Sequence, residues 1–196
     1  MVKKYGDLYL QARRTLLPSE GENASMAARE LLAFASGKSV TAVLADSNLY
    51  ASEQIEEKLS SYVNRMLAHE PLPYILGQWD FYGISLELTP DVLIPRDDTM
   101  AVTDLALDIL RGREAPRVLD LCCGSGSGFV SFAMNQPEAH YFGYEINEER
   151  GGIARIRAEL LGSNVQVRLG DVFRLADDKN TPRFDKMFSN YPFGMR

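Results

Sequence analysis

The sequence predicts an α/β protein in which a helical region precedes a parallel β-sheet. From residue 117 onward, short apolar runs typical of strands alternate with runs typical of helices, which favours a parallel sheet with right-handed crossovers. Residues 1 to about 70 instead repeat apolar side chains at helical spacing. We therefore expect three parts: a helical domain at 1–72, a β-hairpin linker at 73–95 and a sheet domain at 96–196.

Helical spacing predicts four helices in the first region. We expect Pro18 to stop the first helix, because a proline ring clashes with the preceding turn. Gly37 should cap the second helix in a left-handed conformation, and Pro71 should end the fourth. The helices begin near Tyr5, at about Ser25, at Val40 and near Ile55, and their expected core positions include Leu8, Leu16, Met26, Leu31, Phe34, Leu59, Val63 and Met66.

After the helical region, the sequence shows first the pattern of the linker and then that of the sheet domain. Two short β-like runs around Gly83 predict a hairpin. A helix at 100–110 comes next, and we expect Asp98 or Thr99 to cap it. The predicted strands of the sheet are 117–121, 140–145, 165–169 and 185–189, and the helices between them are 128–135 and 148–161, with Gly151 and Gly152 expected to make the first turn of the last helix irregular.

Composition excludes several classes of protein. The 196 residues carry a net charge of −6, from 21 Lys and Arg against 27 Asp and Glu. Because 45% of the residues are hydrophobic and 24% charged, we expect a folded globular protein. The acidic balance argues against a broad basic surface for nucleic acid. No apolar run approaches the ~20 residues that span a bilayer, and the N-terminus lacks the apolar core of a signal peptide.

The cysteines and histidines predict neither a disulfide framework nor a metal site. Cys122 and Cys123 are adjacent, which fits no metal-ligand spacing and favours a reducing, cytoplasmic location. His69 and His140 lie far apart in the sequence, and we expect both at the surface.

A glycine-rich turn follows the first predicted strand of the sheet. Residues 118–128 read VLDLCCGSGSG. Such a turn lets a ligand approach the backbone closely while a helix N-terminus points at it. The turn does not fit the dinucleotide pattern G-x-G-x-x-G, since the sixth position counted from Gly124 is Phe129 and that counted from Gly126 is Ser131.

Acidic residues follow the next two strands. Glu145 closes the second predicted strand, 21 residues after Gly124, where a carboxylate can accept both ribose hydroxyls of a nucleoside. After the third strand, Asp171 can accept from an adenine amino group, with Val172 or Phe173 beside the ring. Together with the glycine-rich turn, these residues predict a nucleoside site at the carboxyl ends of the strands.

The fourth predicted strand leads into Asn190, Tyr191, Pro192 and Phe193. Strand C-termini of an open parallel sheet face the ligand crevice. By itself this segment is typical of a turn, but here it places an amide, a proline and an aromatic ring beside the predicted site.

These motifs resemble those of the class I S-adenosylmethionine-dependent methyltransferases, and specifically the HemK/PrmC family, which methylates the glutamine side-chain amide of peptide-chain release factors. Residues 70–77 (EPLPYILG), 81–83 (FYG) and 93–99 (LIPRDDT) are similar to the family's linker and helix start. The resemblance implies a Rossmann-like sheet, S-adenosylmethionine as cofactor, a release factor as partner, and a helical domain that helps to hold it.

The resemblance also implies roles for individual residues. In the family, the last motif is Asn-Pro-Pro-Tyr and binds the substrate, so that Asn190, Pro192 and Phe193 would match it, with Tyr191 in place of the first proline. The implied cofactor-binding residues are Cys122, Cys123, Gly124, Ser125, Gly126, Glu145, Asp171, Val172 and Asn190, and the implied catalytic residues are Asn190, Tyr191, Pro192 and Phe193.

This chemistry has a physical rationale. An amide nitrogen is a poor nucleophile because its lone pair is delocalised, so the site must orient it towards the methyl group. The Asn190 side-chain oxygen and the Tyr191 backbone carbonyl can accept the two amide hydrogens and stabilise the positive charge that develops on nitrogen. Phe193 can stack against the planar amide. The mechanism requires no metal.

Other interpretations stay open. Segments 145–147, 154–157 and 190–194 are also similar to adenine-amino DNA methylases, which act on a flipped base, and a hybrid chain is a related hypothesis. The family's sheet adds three strands after the fourth, so we expect either a truncated chain or an exposed edge strand that a partner covers. A non-catalytic cofactor-binding or partner-binding fragment is a third interpretation, and a NAD-binding oxidoreductase a distant fourth.

Overall fold

The computed structural model of the chain describes residues 2–162, 164–177 and 181–189. The chain divides into two compact units, Met1–Gln78 and Trp79–Arg196, referred to below as the helical unit and the sheet unit. The three-part division at 1–72, 73–95 and 96–196 stays a prediction. Within the described ranges, no helix is both long and apolar enough to cross a membrane.

The helical unit packs its helices around a core of alanine and leucine side chains. Small alanines allow α1, α2 and α4 to approach one another closely, and α2 buries most of them. Serine side chains cap two of the helices, since Ser39 accepts from the backbone N–H of Ala42 and Ser52 from that of Ile55. The five α-helices described in this unit are α1 (Tyr5–Glu20), α2 (Ala24–Ser36), α3 (Val40–Ala45), α4 (Glu53–Leu67) and α5 (Leu72–Leu76).

The predicted stripe of α2 was partly wrong. Leu31 is fully buried, but Met26 is 42% and Phe34 40% exposed. The helix instead turns its alanine-rich face inward, with Ala27 and Ala28 buried. Alanine is a weak hydrophobicity signal, so the larger apolar residues misled the assignment of the face. The cap was correct: the backbone at Gly37 is left-handed, with φ 66°.

Two predictions about proline were also wrong. Helix α1 continues through Pro18 to Glu20, because a proline in the last turn removes only one helical hydrogen bond near an end that frays in any case. Helix α4 ends at Leu67, before Pro71 is reached. Pro71 instead precedes α5, a short helix that the sequence did not reveal, where the missing N–H of a proline costs little.

A hairpin opens the second half of the chain, as predicted. Strands β1 (Gln78–Phe81) and β2 (Ile84–Glu87) pair with each other, and the Tyr82 hydroxyl between them donates to Asp104 on the following helix, α6 (Asp97–Leu110). The capping prediction for α6 was wrong. The helix begins at Asp97, one residue after an extended Arg96, so both proposed caps lie inside its first turn.

The remaining strands form a four-stranded parallel sheet with the order β5-β4-β3-β6. The alternation of strands and helices predicted from the sequence is confirmed. Aromatic and branched side chains fill the core between the sheet and its helices, among them Phe129, Phe132 and Tyr141. The elements are β3 (Arg117–Asp120), α7 (Ser127–Asn135), β4 (His140–Glu145), α8 (Glu148–Leu161), β5 (Val165–Leu169), a 3-10 helix (Val172–Asp177) and β6 (Lys186–Phe188).

Helix α8 is regular from its first residue, so the prediction of an irregular first turn was wrong. The Asn147 side chain caps it by accepting from the N–H of Arg150 at 2.9 Å. Gly151 serves packing: a Cβ at this position would lie 2.1 Å from the Leu169 side chain on β5. The glycine therefore lets the helix lie close to the sheet.

Candidate functional site

The carboxyl ends of β3, β4 and β5 meet at one edge of the sheet. The N–H of Cys123, after β3, donates to the carbonyl of Tyr144 on β4 at 2.9 Å. The N–H of Gly170, after β5, donates to the carbonyl of Glu145 at 2.9 Å. These bonds bring the three loops that carry the predicted cofactor residues side by side.

Glu145 organises the loop after β3. Its side chain is only 7% exposed. One carboxylate oxygen accepts from the N–H of Gly124 and the other from that of Asn147, each at 2.9 Å. A carboxylate has about four acceptor positions, so both oxygens keep capacity for further hydrogen bonds. The structure thus brings Glu145 and the glycine-rich turn together, while the ribose contact stays a prediction.

The glycine-rich turn has a conformation that only glycine adopts easily. Gly124 has φ 56° and Gly126 φ 89°. A Cβ at Gly126 would lie 2.3 Å from the ring of Phe129, so a side chain there would displace a core residue. The turn runs directly into α7, whose first backbone N–H groups face the loop.

The two adjacent cysteines have different surroundings. Cys123 is buried, and a Cβ at Gly143 on the neighbouring strand would lie 2.8 Å from its sulfur. Burial raises the pKa of the Cys123 thiol far above its ordinary value, so this side chain packs as a small neutral group. Cys122 is half-buried and its cofactor contact stays a prediction.

Asp120 lies at the same edge of the sheet, and the sequence did not single it out. It ends β3, is buried, and accepts from the N–H of Cys122 at 3.3 Å. Burial, with the nearby charge of Glu145 as a smaller cause, raises the pKa of Asp120 to about 7. The available signal was an acidic residue at the end of an otherwise apolar strand, a position that faces the crevice in such sheets.

The loop after β5 holds the residues predicted to contact adenine. Asp171 and Val172 are half-buried, whereas Phe173 is 89% exposed. One Asp171 carboxylate oxygen accepts from the N–H of Phe173 at 3.0 Å, which fixes the start of the 3-10 helix. The adenine contacts of this loop stay predictions.

The predicted substrate motif lies outside the described residues. This holds for Asn190, Tyr191, Pro192 and Phe193. The strand that precedes them is described: β6 pairs with β3, and Phe188 stands opposite Asp120. Among the residues that the structure describes, no group of three or more His, Cys, Asp or Glu side chains is arranged to hold a metal ion.

Comparison with protein families finds two matches. Residues 7–77 match the PrmC N-terminal domain, and residues 113–195 match a methyltransferase domain. The predicted fold class, a helical domain followed by a methyltransferase sheet, is therefore confirmed.

Comparison with curated proteins finds release factor glutamine methyltransferases. The protein of this name from Bordetella pertussis is 41% identical over 129 residues, which cover 66% of this chain and 47% of that protein. That from Bacteroides thetaiotaomicron is 35% identical over 138 residues, covering 70% of this chain and 49% of that protein. That from Haemophilus influenzae is 32% identical over 187 residues, covering 88% of this chain and 62% of that protein.

The chain spans about half the length of the first two relatives. The two matched domains occur in the order that the linker motifs led us to expect. With a PrmC N-terminal domain match and a methyltransferase domain match in one chain, the predicted resemblance to the HemK/PrmC family is confirmed.

Proposed function

We propose that the chain binds S-adenosylmethionine and transfers its methyl group to the glutamine side-chain amide of a peptide-chain release factor. The observation that carries the proposal is the buried Glu145 carboxylate at the end of β4, hydrogen-bonded to the glycine-rich turn after β3. An acidic side chain and a glycine-rich turn at adjacent strand ends are what a nucleoside with a ribose diol requires.

The residues of the sheet unit fit such a cofactor. Glu145 keeps acceptor positions for ribose hydroxyls. The loop containing Asp171 and Val172 adjoins the end of β4 through the hydrogen bond from Gly170, and offers a carboxylate for an exocyclic amino group and an apolar side chain for a ring. Cys122 and Gly124 place backbone close to the same edge.

The protein groups then have distinct tasks. When bound, S-adenosylmethionine supplies an electrophilic methyl group on a sulfonium. Asn190 and Tyr191 hold the two hydrogens of the substrate amide, which orients the nitrogen and stabilises its developing charge. Phe193 stacks on the amide plane. The proton that the product nitrogen loses passes to solvent.

The names of the matching relatives support the choice of substrate. The relatives that match this chain carry the name release factor glutamine methyltransferase, and the helical unit matches the PrmC N-terminal domain. We infer that the helical unit contacts the release factor and that the sheet unit performs the transfer. Cytoplasmic location stays a prediction from the cysteines.

Transfer from methyl-labelled S-adenosylmethionine tests the proposal. The chain is incubated separately with a release factor and with double-stranded DNA, and mass spectrometry locates the label. We expect methylated glutamine in the release factor and no label in DNA. Label in adenine alone would overturn the substrate assignment, and cofactor binding without transfer to either would overturn the activity.

The variant Asn190→Ala sharpens this test. It removes the side-chain acceptor for the substrate amide, so we expect transfer to fall by at least about 100-fold, the typical effect of removing one such electrostatic contact. The affinity for S-adenosylmethionine, measured by calorimetry, should change little. A large loss of affinity with normal turnover would contradict the assigned role.

A further inference from the structure

Arg157 on α8 joins two segments that are distant in the sequence. One terminal nitrogen, Nη1, donates to the carbonyl of Ser125 at 3.0 Å, to its hydroxyl at 3.1 Å and to the Ser127 hydroxyl at 3.5 Å. The other, Nη2, donates to the backbone carbonyl of Glu87 in β2 at 3.1 Å. One side chain thus holds both the glycine-rich turn and the hairpin.

The surroundings of Arg157 distinguish it from an ordinary surface arginine. The side chain is half-buried, and burial lowers the pKa of its guanidinium. An arginine keeps its charge in proteins nonetheless, so the group is a cation removed from water and satisfied by polar groups of the two segments. Arg155, two residues earlier on the same helix, is exposed and donates to β5, at the Val167 carbonyl.

We propose that Arg157 is a positioning residue that fixes the glycine-rich turn in its binding conformation and couples it to the β1–β2 hairpin. A turn with two left-handed glycines gains much conformational freedom when it is released. Holding it in place before the ligand arrives reduces the entropy lost on binding. The planar fork of a guanidinium reaches both segments at once, which the single ammonium of lysine cannot do.

The positioning itself does not depend on the proposed function, whereas its effect on cofactor affinity rests on it. Amide hydrogen exchange without cofactor therefore comes first. In Arg157→Met, we expect faster exchange than in the wild type at residues 123–126 and at 84–87, with little change in α7 after residue 128. The matched control Arg155→Met should exchange like the wild type in both segments. Unchanged exchange in Arg157→Met would overturn the proposal.

Calorimetry with S-adenosylmethionine then measures the consequence. We expect affinity to fall by about tenfold in Arg157→Met, since the loop loses hydrogen bonds to a charged donor. The affinity of Arg157→Lys should lie between those of Arg157→Met and the wild type, and Arg155→Met should bind like the wild type. Equal affinity in the two methionine variants would overturn the coupling to the cofactor site.

A double-mutant cycle separates positioning from a general loss of stability. Ser125→Ala removes one acceptor of Arg157 without altering α8. If Arg157 acts through the turn, Ser125→Ala weakens cofactor binding less in the Arg157→Lys background than in the wild type. Strictly additive effects would overturn the proposed route. Absence of S-adenosylmethionine binding by the wild type would refute the proposed function, while the exchange experiment would still decide the role of Arg157.

Discussion

The helical unit and the sheet unit differ in what they bury. In the helical unit, the described buried side chains are apolar, with alanine and leucine predominating. In the sheet unit, the described buried residues include six polar or charged ones. Two of them, Asp120 and Glu145, are acids at the ends of adjacent strands. Buried polar residues of the described chain are confined to this unit: Thr103, Asp120, Ser125, Ser131, Gln136 and Glu145.

The apolar core of the helical unit serves stability, whereas the buried acids of the sheet unit indicate a function. Burying a carboxylate opposes folding unless hydrogen bonds compensate it, so two neighbouring buried acids are more readily explained by a ligand than by stability. The helical unit keeps its charged pairs partly exposed, as in Lys38 with Asp46 and Arg65 with Glu70. Its stability therefore rests on apolar packing, whereas that of the sheet unit should depend on pH.

The largest expected effect is in the helical core. Leu32 is fully buried in α2, so Leu32→Ala should lower the free energy of unfolding of the helical unit by about 2–5 kcal/mol. The loss, measured by denaturant unfolding, should be the same at pH 5 and pH 8. Leu10→Ala, at a 43% exposed position of α1, is the control and should cost far less. A pH-dependent loss would contradict the apolar origin of this stability.

Asp120→Asn tests the opposite behaviour in the sheet unit. With a pKa of about 7 in the folded protein against an ordinary value of 3.8, the native state binds more protons than the unfolded state between these values. The stabilising contribution of protonated Asp120 is therefore complete below about pH 4 and is lost as the pH rises to about 7. The loss reaches at most about 4 kcal/mol.

We accordingly expect the stability advantage of Asp120→Asn over the wild type to grow between pH 5 and pH 8, because the amide cannot ionise. Denaturant unfolding of both proteins at the two pH values, monitored by hydrogen exchange in β3, measures this difference in stability. An advantage that is the same at both pH values would show that burial of the Asp120 charge does not limit stability.

Glu145→Gln addresses the site more directly. The glutamine side chain has the same size, but an NH2 donor replaces one acceptor oxygen. That NH2 would face the N–H of either Gly124 or Asn147, so one hydrogen bond is lost. We expect S-adenosylmethionine affinity to weaken by about 1–3 kcal/mol, the cost of losing a hydrogen bond to a charged group. Calorimetry measures this loss, and unchanged affinity would remove Glu145 from the cofactor site.

The smallest expected effect is a difference in stability between alanine substitutions at two adjacent glycines of α8. At Gly152 an added Cβ meets no atom within 4 Å, so Gly152→Ala should stabilise the sheet unit by up to about 1 kcal/mol through helix propensity. At Gly151 the Cβ would meet Leu169 at 2.1 Å, which must move and offsets the gain. Thermal unfolding of both variants compares them, and an equal gain would contradict close packing of α8 on β5.

Local patterns explain how much of the fold was predictable. The strands and α-helices from residue 117 onward lie within about one residue of their predicted bounds, because alternation and helical spacing are read from neighbouring residues. The 3-10 helix Val172–Asp177 was not predicted. The meeting of Glu145 with Gly124 was also predictable, since parallel strands present their carboxyl ends at one edge. The roles of Asn190 and Phe193 stay predictions from the sequence.

The sequence by itself determined the order of the elements, the class of the fold and the strand ends that carry the predicted site. Only the tertiary structure decided which face of α2 is buried, that Asp120 titrates near neutral pH, and that Arg157 reaches both the turn and the hairpin. The physical reason is the distance along the sequence between the residues that interact. Secondary structure depends on residues a few positions apart, whereas burial, charge environment and a hydrogen bond across 70 positions depend on neighbours that the chain brings together only when it folds.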